Sequence, residues 1–250
     1  MLSTEWLNAF APVGFFREEH AWGPVGAGVF FLKPPFLWLV TANHVVEAAG
    51  QDALSVLVTR SSGDAVTVVE VGRTLADHDL AWVRDDGNDL AAAPMAVSPD
   101  LQIKAVSRES CLPFQDLVPS MPCFTLGCPY GLRGVDPQRA TPLVLDGVIS
   151  GIDHTGRRIF TSVPAFPGNS GGPLIAVRSP FDPGGCLTVG RRTVLFAGVM
   201  LQSALISPGA PAFQTPPLHL GVAVPADAVF ELLDSPPAQA VVDRIGGKRA

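Results

Sequence analysis

The sequence predicts an all-β protein, and three observations carry that expectation. Short apolar, β-branched runs recur along the chain, separated by Gly, Pro and Asp or Asn. The 250 residues contain 24 prolines. Proline fixes φ and removes a backbone donor, so long helices are excluded from most of the chain. Hydrophobic residues make up 47% and charged residues 16%, with a mean hydropathy of +0.31. That is the composition of a dense folded chain rather than a disordered one. A chain this long buries roughly 70–75% of its unfolded surface, so it needs neither a metal nor a disulfide as a staple.

The expected strands, in order, cover residues 25–32, 36–41, 54–59, 65–71, 79–83, 123–127, 143–149, 158–163, 172–177, 194–201 and 220–224. Each is short, apolar and bounded by turn-forming residues. A Pro-rich, polar stretch at 94–122 is the natural crossing between two halves, an N-terminal one over about 10–95 and a C-terminal one over about 120–224. Residues 44–49 suit one helical turn. The one clear helix follows Pro225, over about 225–234. Proline is favoured in a first helical turn, and Val229, Phe230 and Leu233 share a face. Ser235-Pro236-Pro237 ends it, and the tail 241–250 is expected to be loose. No internal repeat or second module is present.

Charge and targeting signals narrow the function. A net charge of −6 and a pI near 5.3 speak against nucleic acid, which requires a basic surface. The longest apolar stretch, 29–41, is broken by Lys33-Pro34-Pro35 and is too short to span a bilayer. The N-terminus has no basic region followed by an apolar one. A cytoplasmic protein is therefore expected, with Cys111, Cys123, Cys128 and Cys186 as free thiols. Cys123 and Cys128 lack zinc-ligand spacing, and neither metal nor cofactor is expected.

The chemistry sits in Phe166-Pro167-Gly168-Asn169-Ser170-Gly171-Gly172-Pro173-Leu174. A serine between glycines precedes an apolar strand, so backbone N–H groups can converge beside its hydroxyl. A serine hydroxyl alone is a poor nucleophile and needs a histidine and a carboxylate. Thr41-Ala42-Asn43-His44 ends one expected strand with a histidine, and Asp79-Leu80-Ala81-Trp82-Val83 opens another with an aspartate. Asp77 is the alternative acid. His20, His78, His154 and His219 read as ordinary surface or core residues.

These three segments, in the order His, Asp, Ser, resemble the signatures of the trypsin/chymotrypsin-like serine peptidases. Gly127-Cys128-Pro129-Tyr130-Gly131, followed by Gly147-Val148-Ile149-Ser150, is similar to the bacterial HtrA/Deg-type peptidase domain. The resemblance covers about residues 25–233. It implies two six-stranded antiparallel β-barrels with the active site between them, and a serine endopeptidase without the PDZ module that usually follows. It further implies Ser170 as nucleophile, His44 as general base and acid, and Asp79 as the residue orienting His44. Gly168, Asn169 and Ser170 would form the oxyanion hole, through the amides of Gly168 and Ser170. Pro164, Leu201, Gln202 and Ser203 would line the specificity pocket. No acidic residue falls at the pocket base, so a small or medium apolar P1 side chain is expected. Asn169 replaces the aspartate that pairs with a cleaved N-terminus in secreted trypsins, and Val45 replaces their cysteine. Activation by an N-terminal insertion is therefore not expected. The implied partners are a protein or peptide substrate and an activating partner protein.

Two other readings compete. Gly168-Asn169-Ser170-Gly171-Gly172 also fits the nucleophile turn of an α/β-hydrolase esterase, with Asp182 and His219 as partners. The alternating helices that fold needs are missing. The other reading is a trypsin-like scaffold that binds partners without catalysis.

Overall fold

A computed structural model describes residues 4–18, 21–63, 66–132, 140–178, 193–203 and 220–247. The expected Asp182 and His219, together with His20 and Cys186, lie outside them. Thirteen strands are described, and the all-β expectation holds. Among the described residues, no helix is long and apolar enough to cross a membrane.

A short helix, α1 (Thr4–Ala9), leads into β1 (Phe10–Glu18), β2 (Ala21–Lys33) and β3 (Phe36–Ala42). Then come α2 (Asn43–Ala49), β4 (Ser55–Thr59), β5 (Val66–Val69), α3 (Val71–Asp77), β6 (Val83–Asp85) and β7 (Leu90–Met95). These strands form one antiparallel sheet in the order β5-β4-β1-β2-β3-β7-β6. The edges β5 and β6 do not pair, so the first half is a seven-stranded sheet rather than a closed six-stranded barrel. The cause lies between them. Residues 71–77 are helical, with Leu75 buried, and 79–83 form no strand beyond the single residue that opens β6. Pro24 is tolerated inside β2 because it sits at a register shift opposite Gly14.

The second half contains β8 (Pro122–Gly127), β9 (Leu143–Asp153), β10 (Arg158–Thr161), β11 (Pro173–Arg178), β12 (Thr193–Ser203) and β13 (Gly221–Pro225). They close into a six-stranded barrel, in the order β10-β13-β12-β11-β8-β9. Closure leaves no unpaired edge. The expected late helix is α4 (Ala226–Leu233). The expected loose tail is helical through residue 247, as α5 (Pro236–Gly247) follows at once, and residues 248–250 lie outside the described ones. The Pro236-Pro237 pair that ends α4 serves as the first turn of α5, where a missing N–H costs nothing.

One core joins the halves. Residues of the sheet pack with Phe196, Val199, Leu201 and Val224 of the barrel and with the apolar face of α4. At its centre the Phe31 ring meets Phe196 edge-on at 5.1 Å and Phe230 at 5.8 Å. Burying three aromatic rings in mutual contact is favourable beyond their area alone.

Candidate active site

His44 is placed by the change from β3 to α2. The last five residues of β3 are buried, and Ala42 is still extended at φ −73°, ψ 141°. The chain then turns helical, which sets His44 in the first turn of α2. Neighbouring Asn43 is buried and held on three sides. Its Nδ2 donates to Glu47 (3.1 Å) and Asp86 (3.2 Å), and Arg84 donates to its Oδ1 at 2.9 Å.

The acid facing His44 is Asp89, not Asp79. Asp89 Oδ2 lies 2.7 Å from His44 Nδ1, and Oδ1 accepts the His44 backbone N–H at 3.0 Å. The Asn43 N–H donates to the Asp89 carbonyl at 2.9 Å. The sheet register produces this. Ala42 of β3 is opposite Leu90 of β7, so the residue before Leu90 lies beside those after Ala42. A carboxylate accepts, so Nδ1 is the donor in this pair, and in a neutral imidazole that leaves Nε2 with its lone pair. The same carboxylate caps an orphan N–H of α2, whose N-cap Ala42 offers no side-chain acceptor.

Asp79 stands elsewhere. It follows α3 with a positive φ of 55°, its side chain is 84% exposed, and it pairs with Arg244 of α5. The alternative, Asp77, is also exposed and pairs with Arg73 at 3.8 Å. Both Asp79 and Asp89 begin an Asp-Leu-Ala tripeptide. What separates them is the run that follows. Leu90–Met95 is buried throughout, whereas Ala81 is exposed and Leu80 only partly buried. The uninterrupted apolar run after Asp89 was the signal that could have found it.

Ser170 is brought to His44's side of the molecule by the backbone. Its carbonyl accepts the N–H of Ala27 in β2 at 2.8 Å. Gly26 lies where the two meet. A Cβ there would sit 3.0 Å from the Ser170 carbonyl and 2.7 Å from Val45, the residue after His44. The Ser170 hydroxyl donates to the Leu201 carbonyl at 2.5 Å, and no hydrogen bond joins it to His44. That carbonyl is available because β12 shifts register between Met200 and Gln202.

The turn before the serine presents two amides. Gly168 has φ +100°, and a Cβ there would lie 2.1 Å from the Cys128 carbonyl, so only glycine fits. Tyr130 N–H donates to the Pro167 carbonyl at 2.7 Å. A trans peptide points its N–H opposite its carbonyl, so the Gly168 N–H is directed away from Tyr130. The Gly168 and Ser170 amides have no acceptor among the described residues. Asn169 departs from expectation, because its N–H is taken by the Phe166 carbonyl at 2.9 Å. Its side chain is fully buried, with Nδ2 3.4 Å from the Pro164 carbonyl.

Of the expected pocket residues, Pro164 is tied to Asn169 and Leu201 is buried at the bulge. Gln202 and Ser203 continue β12 opposite Val222 and Gly221, but their side chains lie outside what is described. His78 is exposed against the Thr74 carbonyl, and His154 packs on Phe114.

Residues 26–179, a span holding His44, Asp79, Asp89 and Ser170, match the model of the trypsin-like peptidase domain. No curated protein matches the chain. Among solved structures it is similar to the HtrA-type protease AlgW with a tripeptide, at 19% identity and a TM-score of 0.52, covering 91% of this chain and 60% of that one. A structure of the same protease with a decapeptide gives 18% identity and a TM-score of 0.53, covering 94% of this chain and 64% of that one. The chain thus spans less than two thirds of those proteins, and the likeness concerns the fold. With its closed barrel, its second sheet and more than half its length matched, the chain belongs to the trypsin-like peptidase family.

Proposed function

We propose that this chain is a serine endopeptidase that works through Ser170, His44 and Asp89. The observation that carries the reading is the Asp89–His44 pair, 2.7 Å apart at Nδ1, which makes Nε2 the nitrogen available to act as base. In this reading His44 takes the Ser170 proton as Oγ attacks the peptide carbonyl, then gives it to the leaving amine. Asp89 holds the tautomer and stabilises the imidazolium. The Gly168 and Ser170 amides receive the oxyanion, each donor being worth about 10²–10³ in rate. Water then hydrolyses the acyl-enzyme. Peptides are the substrate class in this reading, with a small or medium apolar P1 side chain. We further propose limited proteolysis of a specific protein partner in the cytoplasm. Free thiols at Cys111 and Cys123 suit a reducing compartment.

One observation favours a second reading, a latent or inactive scaffold. The Ser170 hydroxyl is bonded to Leu201 rather than His44. Attack requires that bond to break, by rotation about χ1 or by the arrival of a substrate or partner. A fluorophosphonate probe with mass-spectrometric site mapping separates the readings. Labelling at Ser170, absent in Ser170→Ala, supports the peptidase. A probe that never labels Ser170, even with peptide-library substrates present, favours the scaffold. With an active wild type, Ser170→Ala should lose on the order of 10⁶ in kcat.

A further inference from the structure

We propose that Arg158, in the barrel, is a positioning residue for Asp89 and, through it, for His44. The inference rests on the peptidase reading above and names a determinant of it that the three reacting side chains do not include.

Asp89 is bonded to Asn43 and His44, but the turn that carries it is a weak support. It ends the turn 86–89 between β6 and β7, at a positive φ of 55°. The backbone bond across that turn, Asp89 N–H to the Asp86 carbonyl, is long at 3.4 Å. β6 is an edge strand of three residues. Asp85, Asp86 and Asp89 also put three carboxylates within five residues, which repel one another. A residue that orients a catalytic histidine must be held within about 0.5 Å, and this turn alone does not supply that.

The missing restraint comes from the other half of the molecule. Arg158 opens β10 and reaches across to the turn. Its guanidinium donates to Asn88 Oδ1 at 2.9 Å from NH1 and to the Gly87 carbonyl at 2.9 Å from NH2. NH1 also meets the Gly156 and Arg157 carbonyls, at 3.0 and 3.2 Å. Asn88 is gripped from the other side by Asp85, which accepts its backbone N–H at 3.1 Å and its Nδ2 at 2.7 Å. The residue before Asp89 is therefore clamped at both ends of its side chain. The hairpin that carries Arg158 is itself anchored. Arg157 makes a bidentate pair with Glu231 of α4, both bonds 2.8 Å, and α4 packs into the shared core. Arg158 is thus a rigid strut between the barrel and the turn that aims Asp89. Its planar fork holds two acceptors in a fixed geometry, which the rotatable ammonium of a lysine does not impose.

The test compares wild type with Arg158→Ala, Arg158→Lys and Asn88→Ala. It reads kcat and KM on a library-derived peptide, far-UV circular dichroism, and the downfield proton signal of His44 Nδ1–H. His44→Ala identifies that signal. Arg158→Ala should keep the wild-type spectrum and KM but lower kcat by roughly 10²-fold, the scale of a slightly misplaced catalytic group. Its Nδ1–H signal should broaden or vanish. Arg158→Lys should fall between. Asn88→Ala, which keeps Arg158, should lower kcat in the same direction and stands in if Arg158→Ala does not fold. A wild-type kcat together with an unchanged Nδ1–H signal in these variants overturns the proposal. Failure of the peptidase reading looks different. Wild type would then be inactive, while the Nδ1–H signal would still respond to Arg158 if the strut is real and not if it is not.

Discussion

At the scale of single residues, the decisive contrast is between two aspartates ten positions apart that begin the same tripeptide. Asp89 is one-third exposed and bonded to His44; Asp79 is 84% exposed and bonded to Arg244. The contrast can be measured. Asp89→Asn should lose about 10⁴ in kcat, because an amide can donate to Nδ1 and stabilise the wrong tautomer. Asp79→Asn should leave kcat within twofold, since an exposed ion pair contributes at most about 1 kcal/mol. Steady-state kinetics on one peptide checks both, and equal losses would overturn the assignment. The local settings of His44, at a strand exit, and of Ser170, in a glycine turn, were legible in the sequence because short-range spacing fixes them. The acid was not, because the choice between two Asp-Leu-Ala segments is made by strand pairing. β7 joins β3 in a register that sets Leu90 against Ala42; the apolar run after Asp89 marks a buried strand but does not say which strand it pairs with.

At the scale of elements, the two C-terminal helices bind the halves together. Asp234, the C-cap of α4, receives Lys33 Nζ at 2.5 Å and Arg108 NH2 at 2.6 Å. Partial burial works to raise its pKa. The Lys33 hydrogen bond and the charges of Lys33 and Arg108 outweigh that, so its carboxyl is held below the ordinary range. The sign then follows. A lowered folded pKa stabilises the fold above the unfolded value of about 3.9 and loses that contribution as pH falls through the folded value. Asp234→Asn should therefore lower Tm at pH 7 by a small amount, and the difference from wild type should close as pH falls below the ordinary carboxylate range. A Tm gap that stays constant with pH would show that the cap acts by packing alone. Phe230 tests the helix from its buried side. It contacts Phe31 and lies 4.4 Å beneath Arg108. Phe230→Ala should cost about 3–5 kcal/mol in urea unfolding. Helix α4 was readable from its proline start and apolar face. Helix α5 was hidden by its own beginning, because Pro236-Pro237 reads as a terminator when only the preceding helix is considered.

At the scale of the whole molecule, the shared core predicts how the protein unfolds. Were sheet and barrel separate domains, each would have its own core and its own transition. Instead Phe31 of the sheet, Phe196 of the barrel and Phe230 of α4 occupy one cluster, and Arg158 ties the barrel to the turn at Asp89. Removing either half would expose the apolar face of the other, at roughly 25 cal/mol per Å² uncovered. The sequence provides a separate reporter for each half. All four tryptophans, Trp6, Trp22, Trp38 and Trp82, precede residue 83, so fluorescence follows the first half. Cys123 and Cys128 are fully buried in the second half, near the start of β8 and just beyond its end. Burial pushes the Cys123 thiol up to about 11, with the Thr161 hydroxyl working against the shift and Asp146 adding to it. A folded Cys123 is therefore neutral and shielded at pH 8, and becomes reactive once the barrel opens. Urea unfolding followed by tryptophan emission, and by pulsed alkylation of the peptide that holds Cys123 and Cys128, should give superimposable curves with one midpoint. A fluorescence transition that is complete while Cys123 is still protected would mean the barrel stands alone. In that case the aromatic cluster would be an interface between two folding units and not a single core.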